Sequence, residues 1–167
     1  LGGVSNAIQK GTDIARNMAI EISGLQREET DISEVVMSIK CGASDTTSGI
    51  ASNCVIGYVA DKLVDLGATV IFGETTEFIG GEHLLARRAV GGENGPVGRK
   101  IYQIVNEMEG RAKAIGCDMR KGQPTPGNIA GGLSSIEEKS LGAIMKSGSR
   151  PIQGVLEYPQ HAAGCKG

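Results

Sequence analysis

A turn rich in reactive side chains occupies residues 40–49 and reads Lys40-Cys41-Gly42-Ala43-Ser44-Asp45-Thr46-Thr47-Ser48-Gly49. It follows a short β-branched run at 34–40, which predicts a buried strand, and it precedes an amphipathic stretch at 53–66, which predicts a helix. Open α/β sheets bind ligands where a strand ends and a helix begins, and the free N–H groups at a helix start suit an anion. The turn therefore predicts both an α/β fold and the place of a binding site.

The residues after this turn predict a βαβ unit. A second apolar run at 68–72 follows the 53–66 helix, so the two strands are expected to be parallel and joined by a right-handed crossover. The predicted fold class is α/β, a three-layer αβα arrangement with a short, mostly parallel, Rossmann-like sheet. A single domain is expected over 1–158, with a flexible tail at 159–167. The remaining predicted elements are helices at 4–24, 97–115, from about 81 and from 134 to about 148, and a third strand at 153–158.

Composition limits the classes of partner. The chain has 167 residues, enough for a domain with its own core, and a net charge of -2, which provides no basic field for nucleic acid or an acidic membrane surface. No apolar run in the sequence is long enough to span a bilayer. The four cysteines form no C-x-x-C pair, which argues against a zinc ribbon and favours reduced thiols in a cytoplasmic protein.

Within the 40–49 turn, five side chains are candidates for chemistry. Cys41 lies at a strand end before a helix, a position that lowers a thiol pKa and favours a nucleophile or a soft metal ligand; the alternative is a small buried residue. A carboxylate and three hydroxyls follow, and these can cap the next helix or bind a polar ligand. They are Asp45, Thr46, Thr47 and Ser48.

A second set of candidates follows the 68–72 strand. Glu74 comes directly after it, and Glu82 and His83 follow a double glycine. Carboxylates and an imidazole can act as general acid and base or as ligands to a divalent metal. Arg87 can clamp a substrate carboxylate or lie on a solvated helix face, and Asn128 belongs to a glycine-rich loop that can cradle a substrate.

The parallel topology predicts where these two sets meet. The carboxyl ends of parallel strands lie at the same edge of a sheet, so Cys41, Glu74 and His83 are expected to converge in one cleft there. A carboxylate, sulfate or phosphate is expected to bind near the start of the 53–66 helix, beside the hydroxyls at 46–48.

Three long motifs occur in one order along the chain. They are Lys40-Cys41-Gly42-Ala43-Ser44-Asp45…Ser48-Gly49, Gly73-Glu74…Gly81-Glu82-His83-Leu84-Leu85, and Gln123-Pro124-Thr125-Pro126-Gly127-Asn128-Ile129-Ala130-Gly131-Gly132-Leu133, followed by Glu138-Lys139-Ser140-Leu141-Gly142-Ala143. In this order they resemble the altronate dehydratase/galactarate dehydratase family over about 2–158. The sequence around residues 45–49 and 73–83 also resembles that of the large subunit of sulfolactate sulfo-lyase.

The resemblance implies a lyase that acts on a hydroxy acid. Dehydratases of this family remove water from hexonates or hexarates to give 2-keto-3-deoxy acids with Fe²⁺ or a similar divalent metal, such as Mn²⁺. We predict catalytic roles for Cys41, Asp45, Glu82 and His83 and metal binding by Glu74 and His83, and the motifs leave open which residue is the base and which is a ligand. The residues predicted to bind substrate are Thr46, Thr47, Ser48, Arg87 and Asn128.

The resemblance also implies that the chain is a middle domain of a larger enzyme. Its partners are then a small hydroxy acid and the remaining domains or subunit, and assembly as a homo-oligomer is compatible with it. We expect the chain to fold alone and to show little or no lyase turnover. Two alternatives remain open, a sulfolactate sulfo-lyase domain and a non-catalytic domain for carboxylate binding or assembly.

Overall fold

The computed structural model of the chain describes residues 2–157. The chain divides into two compact units, Leu1–Thr30 and Asp31–Gly167. The first unit contains helix α1, Val4–Ser23, which has no buried residue. The single domain over 1–158 stays a prediction; it would cover the first unit and residues 31–158 of the second. The predicted tail at 159–167 lies outside the described residues.

The second unit begins with the predicted βαβ core. Strands β1, Val36–Ile39, and β2, Thr69–Phe72, pair in parallel, with Ile39 opposite Phe72 at their carboxyl ends. Helix α2, Asn53–Asp65, connects them. The predicted parallel pairing is therefore confirmed, and both strands end at one edge.

The helix between the strands begins earlier than predicted. Helical backbone starts at Thr46 and passes through a π-helical turn, Ser48–Ser52, before continuing as α2. Asp45 caps this start, because its Oδ1 accepts the Ser48 N–H at 2.8 Å. Residue 53 therefore lies inside a continuous helix, where the backbone N–H groups are already hydrogen-bonded. No free N–H groups are available at this position to bind the predicted anion.

The structure is mixed α/β and mostly helical, and the three-layer Rossmann-like arrangement is not confirmed. In residues 2–157 the only sheet has two strands. The predicted third strand is reduced to one bridge between Ala89 and Ile152, and residues 153–157 are not in a strand. Pro151, which has no N–H to donate, and Gly154, which weakens strands, flank this bridge.

The core lies among helices rather than on the sheet. It is formed by the turn Thr75–Phe78 and by helices α3, Glu82–Arg88, α4, Pro96–Ala114, and α7, Ile136–Ile144. Two short helices, α5 at Met119–Gly122 and α6 at Pro126–Ala130, lie between α4 and α7. The largest fully buried apolar side chains of the core are Ile79, Leu85 and Val105. In the part of the chain described, no helix has both the length and the apolar character that crossing a bilayer requires.

The turn after α7 is tied to α2 by a set of directed contacts. This turn, residues 145–150, starts with the 3-10 helix Met145–Ser147. The Asp61 carboxylate of α2 accepts from the N–H of Ser149 at 2.7 Å and from the N–H of Arg150 at 3.1 Å. Arg88 of α3 donates to the Ser147 hydroxyl at 2.7 Å. Lys146, the second residue of this turn, lies close to the residues that follow β2, with its Nζ 3.8 Å from Glu74 Oε2.

Replacing Asp61 with asparagine is expected to lower the free energy of unfolding by about 1–2 kcal/mol at pH 7, the usual worth of charge-assisted hydrogen bonds. Burial alone would raise the pKa of Asp61, but the hydrogen bonds from Ser149 and Arg150 outweigh it and lower the pKa. Because the folded-state pKa is lowered, this stabilisation is present above about pH 4, the unfolded carboxyl pKa, and is lost as pH falls through the folded value.

Urea unfolding from pH 3 to pH 7 tests this expectation. The gap between wild type and the Asp61→Asn variant should narrow as the pH falls, and Asp13→Asn, in exposed α1, should track wild type throughout. A gap that is constant with pH would contradict the charge-based account of Asp61.

Candidate functional site

The ends of β1 and β2 meet through Cys41 and Glu74. The Cys41 N–H donates to Glu74 Oε2 at 2.7 Å, and the Cys41 thiol donates to Glu74 Oε1 at 3.4 Å. Lys40 forms an ion pair with the same Oε1 at 2.9 Å, from an exposed position. The predicted convergence of Cys41 and Glu74 at the sheet edge is therefore present in the structure.

Glu74 adopts a backbone conformation that is unusual for a residue with a side chain. Its φ of 67° and ψ of 63° lie in the left-handed region, and it is the one non-glycine residue with positive φ in residues 2–157. Such a conformation costs energy and is found most often at functional sites. Burial would raise the pKa of Glu74, but hydrogen bonds from the Cys41 N–H and from Lys40 outweigh it and lower the pKa to about 2. Glu74 is therefore a carboxylate throughout the physiological pH range.

Two buried charges complete this group. Glu77 is 6% exposed and Lys146 is 2% exposed. Lys146 Nζ binds Glu77 Oε2 and lies 3.8 Å from Glu74 Oε2. The other Glu77 oxygen, Oε1, is buried and has no hydrogen-bond partner within the described residues. We refer to Cys41, Glu74, Glu77 and Lys146 as the edge cluster.

The prediction that Cys41 has a lowered thiol pKa is wrong. Burial raises this pKa first, and the neighbouring carboxylates Glu74 and Glu77 raise it further, to about 11. Four residues separate Cys41 from the helix start at Thr46, so the helix dipole does not act directly on the thiol. A free Cys41 therefore stays protonated at neutral pH and is a poor nucleophile.

The edge cluster nevertheless fits a divalent metal. Cys41 Sγ and one oxygen each from Glu74 and Glu77 all lie within 4.8 Å of one another. Thiolate and carboxylate are both common ligands of divalent first-row metals. The unpartnered Glu77 oxygen gives a buried ligand atom whose lone pairs are unused.

A cavity of about 250 Å³, lined by both polar and apolar side chains, lies beside the predicted binding turn. Asp45, Thr46 and Ser48, all predicted site residues, line it together with Asn53 of α2 and Lys139 of α7. The hydroxyl of Thr47, the fourth predicted residue of the turn, donates to Asp45 Oδ1 at 2.7 Å. The structure therefore groups three of these four residues around one cavity and uses Thr47 to hold Asp45.

Asn128 was predicted to bind substrate, but its polar atoms are already used. Its Nδ2 donates to the Ser44 carbonyl at 2.9 Å, and its Oδ1 accepts from the Thr125 N–H at 3.1 Å and from Lys139 Nζ at 3.1 Å. These bonds join the 123–132 loop to the 40–49 turn. In this structure Asn128 therefore holds the two segments beside the cavity together, and its contact with substrate stays a prediction.

Three further predicted residues are not members of the edge cluster. Helix α3 packs against α4, and this contact brings His83 near Glu93. Arg87 is exposed and forms an ion pair with Glu93, Nε to Oε2, at 3.4 Å. Glu82 has a buried Oε2 without a partner in the described part of the chain. The group with the spacing of metal ligands that the described residues contain is Cys41, Glu74 and Glu77, without His83, so the predicted metal pair of Glu74 and His83 stays a prediction.

The sequence reasoning missed Glu77, Lys139 and Lys146. The pattern Glu74-Thr75-Thr76-Glu77 at the end of β2 was a signal for Glu77, since two carboxylates three residues apart share one face of a turn. Lys139 resembles any helix-surface lysine that follows two glutamates. Lys146 had no signal at all, because its burial depends on contacts with α2 and α3, which are distant in sequence.

Comparisons with known proteins identify the family to which the chain belongs. A family model described as D-galactarate/Altronate dehydratase, C-terminal, matches residues 32–167. The (2R)-sulfolactate sulfo-lyase subunit beta of Chromohalobacter salexigens is 42% identical over 163 residues, 97% of this chain and 41% of that protein. The galactarate dehydratase (L-threo-forming) of Escherichia coli is 39% identical over 158 residues, 95% of this chain and 29% of that protein.

The altronate dehydratase of Bacillus subtilis is 34% identical over 156 residues, 93% of this chain and 30% of that protein. The chain thus spans less than half the length of each of these relatives. The resemblance predicted a middle domain, whereas the family model describes its matching region as C-terminal. Since that model covers residues 32–167, the chain belongs to the D-galactarate/altronate dehydratase family.

Proposed function

We propose that this chain is part of a lyase that removes water from a sugar acid, such as altronate or galactarate, to give a 2-keto-3-deoxy acid. One observation supports this most directly: the 40–49 turn contributes residues to both the edge cluster and the cavity. Cys41 belongs to the cluster and Ser44 lines the cavity. Three residues of chain span at most about 11 Å, so the two sites are close enough to act on one small molecule.

Removing water from a hydroxy acid requires three catalytic functions. A base takes the proton α to a carboxylate, positive charge stabilises the resulting enediolate, and an acid assists departure of the hydroxyl at the β carbon. The cavity provides hydroxyls from Thr46 and Ser48 and the Asp45 carboxylate to bind the hydroxyls of a sugar acid. Lys139 provides an ammonium that can bind a substrate carboxylate.

The edge cluster would provide the positive charge by holding a cation. Cys41, Glu74 and Glu77 would hold a divalent metal, Fe²⁺ or Mn²⁺, which when bound supplies Lewis-acid stabilisation of negative charge. With a pKa of about 2, Glu74 is too weak a base for proton abstraction near neutral pH, and holding a cation suits it better. Because the relatives are longer, we propose that further domains or a second subunit supply the rest of the site.

Sulfolactate is the second candidate substrate. The relative with 42% identity over 97% of this chain is a sulfo-lyase subunit. Expulsion of sulfite from sulfolactate has the same logic as loss of water, since a proton α to a carboxylate is removed and a group leaves from the β carbon. A third function, carboxylate binding without catalysis, would use the cavity and not the edge cluster.

Titration of the chain with galactarate, followed by ¹⁵N NMR, tests the proposed function. We expect shifts first at Asp45, Ser48 and Lys139. Adipate, which has the same six-carbon diacid skeleton without hydroxyls, is the matched control and should bind at least about 10-fold more weakly, because cavity hydrogen bonds then lack partners. Equal shifts with adipate would favour the non-catalytic function, and stronger shifts with sulfolactate would favour the sulfo-lyase.

An assay of keto-acid formation tests whether the chain alone is a complete catalyst. With Fe²⁺ or Mn²⁺ under anaerobic conditions, the chain alone is expected to show little or no turnover of altronate, galactarate or sulfolactate, since an incomplete site loses orders of magnitude in rate. Adding the segments that the longer relatives possess should raise it. Rapid turnover by the chain alone would contradict the proposed need for further segments.

A further inference from the structure

One edge of β2 pairs with β1, and its other edge is open. The N–H of Thr69 donates to the Val35 carbonyl of the chain before β1 at 3.0 Å. Because successive residues of a paired strand point their backbone groups to opposite sides, the N–H and C=O groups of Val70 and Phe72 point away from β1. Outside the β1–β2 ladder, no backbone hydrogen bond in residues 2–157 involves either residue. The open edge of β2 is therefore a template for a further strand.

A groove of about 650 Å³ lies at this open edge. All of β2 lines it, together with residues 151–156 and two apolar side chains of α4, Ile101 and Ile104. Every residue of β2 is partly exposed, although parallel strands are normally covered on both faces. The groove thus combines uncovered apolar surface with unpaired strand backbone.

The segment at 153–156 borders the same groove and also lacks backbone partners. It has the sequence pattern of a strand, yet the only bridge beside it joins Ile152 to Ala89. Within the described part of the chain, no hydrogen bond joins the backbone of these four residues to another residue. Their side chains Val155 and Leu156 line the groove. The strand predicted at this position therefore has no neighbour with which to pair.

We infer that an extended strand from the rest of the longer enzyme, outside residues 1–167, enters this groove and pairs with β2. The chain covers 41% of the sulfo-lyase subunit and 29% of the galactarate dehydratase, so more than half of such a polypeptide remains to supply the strand. Main-chain hydrogen bonds to β2 would give affinity, and the apolar lining would select a segment whose side chains alternate between apolar and polar. This surface is where we expect one of the further segments in the proposed function to bind.

A charged small molecule and a second copy of the chain suit the groove less well. Two charged side chains of its lining already have partners, since Arg150 pairs with Asp65 at 2.6 Å and Asp61 accepts from the Ser149 N–H at 2.7 Å. A second copy would have to insert its own β2, but that strand lines a groove of its own beside residues 151–156. A single extended strand needs neither a free charge nor symmetry.

Amide hydrogen exchange, followed by mass spectrometry with residue resolution, tests for this strand. The 167-residue chain is compared with a chimaera in which it replaces the matched region of the Escherichia coli galactarate dehydratase. We expect exchange at Val70, Phe72 and residues 153–156 to be at least about 10-fold slower in the chimaera, because these amides gain protection when the groove is filled.

Proline variants locate the pairing edge. Val70→Pro removes an N–H from the open edge only, and edge strands tolerate proline, so the 167-residue variant should unfold in urea close to wild type. Thr69→Pro is the matched control, since it removes the N–H that binds Val35 and should lower the urea midpoint. In the chimaera, Val70→Pro should abolish the slower exchange at 153–156. Leu156→Asp, which places a charge in the apolar groove, should do the same and serves if Val70→Pro does not fold.

Equal exchange in the chain and the chimaera would overturn the proposed strand. Slow exchange already present in the dilute 167-residue chain would overturn it in favour of residues 158–167, and slowing that grows with chain concentration would overturn it in favour of a second copy. If the chimaera does not fold, peptides of about ten residues from the unmatched length of the galactarate dehydratase are titrated into the chain, and the absence of NMR shifts at Val70 and Phe72 would overturn the proposal. None of these measurements uses substrate, so their failure leaves the proposed lyase function untouched.

Discussion

Replacing Lys146 with methionine is expected to lower the free energy of unfolding by about 3–5 kcal/mol, the usual effect of removing one partner of a buried ion pair. Lys146 is 2% exposed and Glu77 is 6% exposed, so the remaining carboxylate would be desolvated without its cation. Glu74 Oε2, 3.8 Å from the same ammonium, would lose part of its charge compensation as well. Urea unfolding followed by circular dichroism measures the change.

The double variant Lys146→Met/Glu77→Leu separates the charge effect from the loss of packing. It should recover most of the lost stability, because a buried ion pair can often be replaced by apolar residues at little cost. The control is Lys40→Met, which removes a 75% exposed lysine from Glu74 and should cost no more than about 1 kcal/mol. A double variant as unstable as Lys146→Met would show that the lysine acts through its shape and not through its charge.

The contact between Cys41 and Glu74 illustrates what sequence can predict. Two apolar runs around a helix require parallel strands, and parallel strands require their carboxyl ends to meet. That argument needs only local patterns and a rule of chain topology. It leads directly to the Cys41 N–H donating to Glu74 at 2.7 Å.

The start of the helix after β1 and the number of strands were harder to predict from the sequence. The pattern at 46–52 contains a glycine and several hydroxyl residues, which favour turns, yet Asp45 caps a helix that passes through them as a π-helical turn. The 153–158 pattern resembles a strand, but only Ile152 pairs, with Ala89. In both cases tertiary contacts outweigh local preference.

The position of Lys146 could not be predicted for a different reason. Its burial depends on how closely the turn at 145–150 approaches α2, and this approach depends on small residues far apart in sequence. Gly57 in α2 and Gly148 in the turn face each other across that contact. A glycine in a helix pattern signals close packing, but it does not identify the partner segment.

Replacing Gly57 with alanine is expected to lower the free energy of unfolding by about 3 kcal/mol, at the upper end of ordinary overpacking. A Cβ at this position would overlap the Met145 carbonyl oxygen and come within 3.1 Å of the Gly148 nitrogen. Both are backbone atoms. The turn cannot move away easily, because Asp61 holds the Ser149 N–H at 2.7 Å.

Gly110→Ala is the matched control, because Gly110 also lies within a helix, α4, and a Cβ there would meet nothing within 4 Å. It should stabilise the protein by up to about 1 kcal/mol, the difference in helix propensity between the two residues. Gly57→Ala should also weaken the Fe²⁺ binding that we propose for the edge cluster, since pushing the turn from α2 moves Lys146 and with it the Glu77 carboxylate. Urea unfolding and anaerobic Fe²⁺ binding, followed by isothermal titration calorimetry, are measured on both variants. If Gly57→Ala unfolds like wild type, the turn is not packed against α2 as closely as the structure shows; if it is destabilised yet binds Fe²⁺ like wild type, Lys146 does not position Glu77.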